Sequence, residues 1–303
     1  MTRSIQEIID RAANSTVGGE KKVLSVAAAH DEDVLRAVTA AVHQGIVKPV
    51  LVGNAEKIDA ILRKIGEKSS DYWIEDAGDN TSTAARAVSL VRSGKADFLM
   101  KGLLSTAELM KAVIDKETGL RTGNLISHVM LYEAAAYPKI LAVTDGGMNT
   151  YPDLEKKIAI LTNAAEMLKA LGYDRMVAAC ICGAESVDPK IQSTVDAQAL
   201  SQMTGQWDKY KLKVLGPVGL DLAISGNACR HKGYGDPDGG NADILLTPNY
   251  EVGNGIGKAL TYFAGAQSAG IILGAKVPIV LVSRSDEAKT KLSSIALGCL
   301  LSV

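Results

Sequence analysis

Apolar runs rich in β-branched residues alternate with amphipathic segments of helical period along most of this chain. In the first part, strands are predicted at residues 23–28, 49–52, 72–75 and 97–100, with helices at 32–44, 55–65, 82–93 and 106–114. Further strands are predicted near 127–131, 140–143, 176–181, 213–215, 243–247 and 271–282, with helices near 154–170, 189–203 and 254–266. This alternation is typical of parallel sheets with helices on both faces. The chain is therefore predicted to be an α/β protein.

Residues 277–286, VPIVLVSRSD, join a buried-strand pattern to reactive side chains. Ser283, Arg284 and Asp286 follow the apolar run and precede a predicted helix at 287–300. Open α/β sheets bind ligands at the carboxyl ends of their strands, and helix N-termini attract anions. There an arginine can hold a phosphate, a serine can donate to an oxyanion and a carboxylate can accept a proton. The alternative, in which Ser283 and Asp286 only cap the helix, fits the spacing equally well.

Other polar residues also follow predicted strands. Lys101 and Gly102 follow one strand, and Thr144 and Asp145 follow another. Each group is also typical of a simple turn, but their accumulation at strand ends favours a shared cleft. His128 fits a packed histidine better than a catalytic base, and no triad of serine, histidine and acid can be assembled.

Residues 253–258, GNGIGK, are predicted to open a helix directly after a strand, which is the setting of a phosphate cradle. The segment matches neither the P-loop nor the dinucleotide pattern. Its glycines either let backbone N–H groups approach an anion or let the helix pack closely. Lys258 is either a phosphate contact or a surface lysine. The acidic segment 233–243 does not have calcium-loop spacing, and a mobile loop over the cleft is predicted there in preference to a metal site.

Composition limits the possible functions. The chain has 303 residues, of which 47% are hydrophobic and 22% charged, so it is long enough for two domains. A net charge of -1 gives no electrostatic footprint for nucleic acid, and no segment is typical of a signal peptide or a membrane span. The four cysteines lack zinc spacing and are predicted to be buried, reduced thiols, with a thiolate nucleophile as the alternative. These features predict a cytoplasmic protein with small-molecule partners.

Taken in chain order, a set of short motifs resembles the phosphate acetyltransferase and phosphate butyryltransferase family. The motifs are Lys101-Gly102-Leu103, GLRTG at 119–123, Ser127-His128, TDGG at 144–147, the turn at 185–189, Pro248 with Gly253-Asn254, YFAGA at 262–266 and SRSD at 283–286. The resemblance extends from about residue 20 to the end of the chain and is closer to the butyryl branch.

This resemblance implies a fold and a reaction. The implied fold has two parallel-sheet α/β domains of the isocitrate/isopropylmalate dehydrogenase-like type, with an interdomain cleft as the active site. Domain I would comprise residues 1–122 and 273–303, and domain II, inserted into it, residues 123–272. The implied reaction moves a butyryl group between coenzyme A and orthophosphate to give butanoyl phosphate. It needs no metal and no cofactor, since coenzyme A and its thioester are substrates, and the implied assembly is a homodimer or a higher homo-oligomer.

The resemblance also assigns roles to residues. Ser283 and Arg284 match the family's catalytic Ser-Arg pair. Asp286 is the candidate base because of its proximity to this pair and not through the resemblance, with Glu287 and Asp145 as alternatives. The candidate substrate-binding residues are Lys101, Gly102, His128, Thr144, Asp145, Gly253, Asn254 and Lys258. The chain departs from the acetyl enzymes at Thr290, where they have a catalytic aspartate, and near Met110, where they use an arginine and this chain has only the adjacent Lys111.

Three alternatives stay open. The first is transfer of an acetyl group, or a variant that uses an acyl carrier protein. The second is a dehydrogenase of related fold, although no nicotinamide fingerprint is present. The third is a small-molecule binding protein without catalytic activity.

Overall fold

The computed structural model describes residues 2–15, 20–283 and 286–302. Contacts group the chain into two compact units. Unit A comprises Gln6–Asn124 and Ala269–Val303, and unit B comprises Met1–Ile5 and Leu125–Ser268. The domain boundaries 1–122 with 273–303 and 123–272 stay a prediction, because grouping by contacts does not establish which part folds by itself.

Unit A begins with a series of strands and helices in strict alternation after its first helix. Its elements are α1 (Ile5–Asn14), β1 (Lys22–Ala27), α2 (Glu32–His43), β2 (Val47–Gly53), α3 (Ala55–Lys64), the 3-10 turn Ser69–Asp71, β3 (Trp73–Asp76), α4 (Asn80–Arg92), β4 (Phe98–Lys101) and α5 (Thr106–Val113). The four strands are parallel, in the order β3-β2-β1-β4. Their carboxyl ends therefore meet at one edge of the sheet.

Capping side chains explain why the helices of unit A begin where they do. Asp31 caps α2 by accepting a hydrogen bond from the Val34 amide at 2.9 Å. Ser105 and Glu108 form a reciprocal capping box at the start of α5. Such bonds satisfy amides that the first helical turn leaves without partners.

Unit B also alternates strands and helices along most of its length. Its elements are β5 (Ser127–Glu133), β6 (Leu141–Thr144), α6 (Leu154–Ala170), β7 (Met176–Ile181), α7 (Gln192–Gln202), α8 (Thr204–Trp207), the 3-10 turn Asp208–Tyr210, β8 (Leu212–Val218), α9 (Leu220–Ile224), α10 (Gly226–Lys232), β9 (Ile244–Leu246) and α11 (Tyr250–Tyr262). The strand order is β5-β6-β9-β7-β8, and the pairs are parallel except for β5 with β6. The alternating pattern of the sequence thus predicts the α/β class of both units correctly.

The chain then forms β10 (Gln267–Leu273), β11 (Ile279–Val280) and α12 (Ala288–Leu301). The single strand predicted at 271–282 is wrong, because two antiparallel strands occupy this segment. Gly274, with a φ of +93°, turns the chain between them, and Pro278 lacks the N–H that a continuous strand would donate. β11 pairs in parallel with β4, so the chain leaves β11 at the sheet edge where β4 ends.

Buried apolar side chains hold each unit together. In unit A, Leu24, Phe98, Leu99 and Ile279 are fully buried. In unit B, a cluster that includes Leu245 surrounds the inner strands. Among the described residues, no helix is both long enough and apolar enough to cross a membrane.

Candidate active site

The predicted site residues that the structure describes fall into two clusters, one in each unit. The cluster in unit A surrounds a cavity of about 70 Å³, which we name the lysine pocket. Its lining residues are Asp31, Val34, Lys101, Gly102, Leu103, Val282, Ser283 and Lys291. They come from the ends of β1 and β4, from the segment after β11, and from α2 and α12. The lysine pocket therefore lies at the edge of the sheet where α/β proteins bind ligands.

Lys101 is the last residue of β4 and is buried, with only 6% of its surface exposed. Its ammonium donates hydrogen bonds to the carbonyl oxygens of Gly102, at 3.2 Å, and Leu104, at 3.1 Å. Removing an ammonium from water is unfavourable unless anions or hydrogen-bond acceptors replace the water. A buried lysine that lines a cavity is accordingly suited to hold an anion.

Gly102 is required by the close approach of two strand ends. Its amide donates to the carbonyl of Ala27 at 2.7 Å. A Cβ atom at this position would meet the Ala28 carbonyl oxygen at 2.2 Å, well inside van der Waals contact. Gly102 thus shapes the wall of the lysine pocket through its backbone.

The turn that carries Ser283 is closed by reciprocal hydrogen bonds. The Ser283 amide donates to the Asp286 carboxylate at 2.8 Å, and the Asp286 amide donates to the Ser283 carbonyl at 3.1 Å. Arg284 lies outside the described residues, so its placement stays a prediction. The N-cap of α12 is Glu287, whose side chain makes no capping bond. The alternative in which Ser283 or Asp286 caps the helix is therefore wrong, because the Asp286 carboxylate bonds backward to the turn.

Sequence reasoning missed Lys291. This residue lies in the second turn of α12, is 3% exposed, and donates from its ammonium to the main-chain carbonyl of Asp286. A lysine near the start of a helix is usually a surface residue, which is why it was not selected. The sequence signal for its burial is spacing. Lys291 lies three, four and seven residues before Ser294, Ile295 and Gly298, which places it on the same buried face of the helix.

The second cluster is the turn at residues 145–149 in unit B, which we name the aspartate turn. Asp145 is 2% exposed. One carboxylate oxygen accepts from the amides of Gly147, at 2.7 Å, and Met148, at 2.8 Å. The other accepts from the His128 amide, at 3.1 Å, and the Asn149 side chain, at 2.7 Å. Four donors converge on one buried carboxylate, and this bonding fixes the shape of the turn.

The other predicted residues of unit B pack around this turn. The Thr144 hydroxyl donates to the His128 carbonyl at 2.8 Å, and the Asn254 side-chain amide donates to the Gly146 carbonyl at 3.4 Å. A Cβ atom on Gly253 would lie 2.8 Å from the Asp145 carbonyl oxygen. The structure thus brings the unit B candidates together, with Lys258 one helical turn beyond Asn254.

The prediction that α11 begins near residue 254 is wrong. The helix begins at Tyr250, because Asn249 caps it by accepting from the Val252 amide at 3.0 Å. Gly253 consequently lies inside the helix rather than in a loop before it. Its absent side chain permits close packing, which is one of the two interpretations that the sequence left open. The Lys258 ammonium lies 5.8 Å from the centre of the Tyr262 ring on the same helix.

All four cysteines are buried and none forms a disulfide. Burial raises the pKa of each thiol above its ordinary value. A raised pKa lowers the thiolate fraction at neutral pH, so this environment does not favour a cysteine nucleophile.

The acidic segment at 233–243 is tied to its unit by ion pairs. Asp236 contacts Lys213 at 3.1 Å, and Asp238 contacts Arg175 at 2.6 Å.

Among the described residues, no group of His, Cys, Asp and Glu side chains could hold a metal ion.

Comparison with known proteins decides the family. The family described as "Phosphate acetyl/butaryl transferase" matches residues 58–299. The chain belongs to this family.

Individual relatives agree with this assignment. The phosphate butyryltransferase of Clostridium acetobutylicum is 41% identical over 301 residues, which cover 99% of this chain and 99% of that protein. The phosphate acetyltransferase of Thermotoga maritima is 38% identical over 280 residues, covering 92% of this chain and 95% of that protein. The family resemblance stated from the motifs is thereby confirmed.

A solved structure confirms the fold class. The branched-chain phosphotransacylase from Enterococcus faecalis V583 matches with a TM-score of 0.82 and 32% identity, covering 93% of this chain and 99% of that one. The family members named here are acyltransferases that act with phosphate.

Proposed function

We propose that this phosphate acyltransferase moves a butyryl group, or a similar short-chain acyl group, between the sulfur of coenzyme A and orthophosphate. In the forward direction a phosphate oxygen bonds to the acyl carbon and gives a tetrahedral intermediate. The carbon–sulfur bond of this intermediate then breaks, and the proton of the phosphate ends on the sulfur. The products are butanoyl phosphate and free coenzyme A. Because both acyl compounds are activated, the reaction is reversible and consumes no nucleotide.

The observation that carries the proposal is the lysine pocket. Two buried lysines and Ser283 line one small cavity at the carboxyl edge of a parallel sheet. This charge and size suit a small dianion such as orthophosphate, because ammonium groups out of water interact strongly with an anion. Family membership supports the acyl transfer, and the charge and size of the pocket support its assignment as the phosphate site.

The residues of unit A then take complementary roles. Lys101 and Arg284 hold the phosphate, the latter through two parallel hydrogen bonds that a guanidinium can donate to it. The Ser283 hydroxyl donates to the oxyanion of the tetrahedral intermediate. The structure supports the placement of Lys101 and Ser283 in one pocket, and the role of Arg284 rests on the family motif.

Asp286 remains our first candidate for the base that accepts the thiol proton in the reverse direction. One of its carboxylate oxygens, Oδ2, accepts the Ser283 amide, while Oδ1 makes no hydrogen bond to the described residues. Glu287, at the N-cap of α12, is the second candidate. Asp145 is the weakest, because four hydrogen bonds already occupy its two oxygens.

In unit B, we assign His128, Thr144, Asp145, Gly253 and Asn254 to the support of a substrate-binding turn, and Lys258 to an outer contact with substrate. The butyryl preference rests on the closer match of the motifs to that branch. The same proposal includes a cytoplasmic homodimer or larger homo-oligomer that works without a metal or another cofactor.

The test is release of free thiol from butyryl-CoA by the purified chain, with and without phosphate, and with acetyl-CoA in parallel. We expect release only with phosphate, a higher kcat/KM for butyryl-CoA than for acetyl-CoA, and no effect of a chelator. Release without phosphate would contradict phosphate acyl transfer. Equal or faster turnover of acetyl-CoA would contradict the chain-length preference, and inhibition by the chelator would contradict the metal-free mechanism.

A further inference from the structure

Lys291 is a buried lysine on the packed face of α12. It lies in α12 with 3% of its surface exposed, on a helix face whose next turn carries Ser294 and Ile295, both fully buried. An ammonium in this environment is unfavourable unless it gains specific partners. Lys289, two residues earlier, is exposed in the usual way for a helical lysine.

The partner that the structure gives Lys291 belongs to the turn that carries Ser283. The ammonium of Lys291 donates to the main-chain carbonyl of Asp286. The Ser283 amide donates to the Asp286 carboxylate, and the Asp286 amide donates to the Ser283 carbonyl. Lys291 therefore ties the turn to the buried side of α12.

Lys291 also adds charge to the lysine pocket, which it lines together with Lys101 and Ser283. Both lysines are buried, at 3% and 6% exposure. Like charges around one small cavity disfavour each other, and an anion between them reverses that effect. A dianion gains more from this arrangement than a monoanion, since each of its charges interacts with both ammonium groups.

We propose that Lys291 is a positioning residue for phosphate. It holds the Ser283 turn in place through the carbonyl of Asp286, and with Lys101 it supplies the charge that fixes orthophosphate in the lysine pocket. This inference rests on the proposed function, because the phosphate that it positions is the co-substrate proposed above.

The test compares Lys291→Met with Lys289→Met, which removes the same charge from the exposed side of the same helix. In Lys291→Met we expect the KM for phosphate to rise about tenfold or more, the change in affinity that about 1.4 kcal/mol produces. The KM for butyryl-CoA is expected to stay within about twofold of the parent, because Lys291 is not proposed to contact that substrate. Loss of its bond to the Asp286 carbonyl is expected to lower kcat instead. Lys289→Met stays at parent values for both substrates.

Two further variants separate position from charge. Lys291→Arg keeps the charge and a donor, and is expected to recover part of the phosphate affinity. Lys291→Gln keeps a donor without charge, and is expected to resemble Lys291→Met. If Lys291→Met does not fold, Lys291→Gln takes its place in the comparison. An unchanged phosphate KM in the folded uncharged variant, with only a lower melting temperature, would show a purely structural role and overturn the inference.

Calorimetric titration with inorganic phosphate, without any acyl-CoA, keeps this inference apart from the proposed function. If the parent shows no phosphate-dependent thiol release, the proposed function fails by itself. Weaker phosphate binding by Lys291→Met than by Lys289→Met would still support the positioning role. Equal binding by the two variants would overturn it whatever the enzyme assay shows.

Discussion

The lysine pocket and the aspartate turn are both buried polar clusters at strand ends, but their charged groups have different surroundings. In the lysine pocket, two buried lysines line a small cavity. In the aspartate turn, one carboxylate receives four hydrogen bonds from its own surroundings. The first arrangement places two cationic side chains beside a cavity, whereas the second surrounds one carboxylate with hydrogen-bond donors of the fold.

This difference shows how to rank candidate residues of the same chemical type. Asp145 and Asp286 are both acids that follow strands, and in the sequence Asp286 ranks first as a base only because it lies close to Ser283 and Arg284. The bonding of each carboxylate does separate them, because a fully bonded carboxylate must lose contacts before it accepts a proton. Changes in the lysine pocket should therefore reduce activity with little loss of stability, and changes in the aspartate turn should do the reverse.

The largest effect is expected for Ser283→Ala. Loss of one donor to a developing oxyanion typically lowers kcat by about a hundredfold or more. The melting temperature should stay near that of the parent, because the Ser283 side chain lies at an exposed position. Steady-state kinetics with butyryl-CoA and phosphate measure the effect, and Ser89→Ala, on the exposed face of α4, is the control. A kcat within about twofold of the parent would remove Ser283 from the chemistry.

Asp145→Asn should mainly destabilise the protein. The amide group keeps the shape of the side chain but presents a donor where the carboxylate accepts, so it opposes the His128 amide or the Asn149 side chain. Hydrogen bonds to a charged group contribute about 1.5–3 kcal/mol each, so we expect a loss of about that size in the free energy of unfolding. Denaturant unfolding measures it, with the exposed Asp174→Asn as control. Unchanged stability combined with lost activity would raise Asp145 from the weakest to the first candidate for the base.

Two glycines of α11 offer a sharper test of the packing at the aspartate turn. A Cβ atom on Gly253 would meet backbone atoms of the turn, whereas one on Gly255 would meet nothing within 4 Å. Gly253→Ala should destabilise the protein by about 1–3 kcal/mol through overpacking. Gly255→Ala should stabilise it by about 0.5–1 kcal/mol, because alanine favours a helix interior. Equal effects of the two substitutions on thermal unfolding would contradict the close contact between α11 and the turn.

We expect no detectable acylation of the cysteines by butyryl-CoA, which is the smallest effect predicted. Their buried thiols have raised pKa values, so at neutral pH they are less often thiolates than free cysteine is. Incubation with butyryl-CoA alone should leave the mass of the intact protein unchanged. An added butyryl group on a cysteine that disappears when phosphate is supplied would establish a covalent intermediate.

Much of the fold could be predicted from the sequence because the local signals were strong. The helix predicted at 154–170 and the strand predicted at 176–181 have these bounds in the structure. The segment at 271–282 was predicted as one strand because its apolar residues form an almost continuous run. Such a run does not show where the chain changes direction, and here a turn separates two buried strands. The start of α11 was predicted too late, because Gly253 and Gly255 are typical of a loop. The helix begins at Tyr250, after its N-cap Asn249.

The site was less accessible to sequence reasoning. Residues at strand ends could be selected because parallel strands end at a common edge, and this selection found Lys101 and Ser283. Lys291 could not be selected in that way, because its contribution depends on which face of α12 is buried. The hydrogen bonds to the Asp145 carboxylate likewise form only in the folded turn, so the sequence does not show them.

The most direct test of the contrast between the two clusters is equilibrium binding of inorganic phosphate, measured by calorimetry in the parent, Lys101→Met and Asp145→Asn. We expect Lys101→Met to weaken phosphate binding by about tenfold or more, and the folded fraction of Asp145→Asn to bind phosphate as the parent does. Phosphate binding that survives in Lys101→Met but is lost in folded Asp145→Asn would contradict our placement of the phosphate in the lysine pocket.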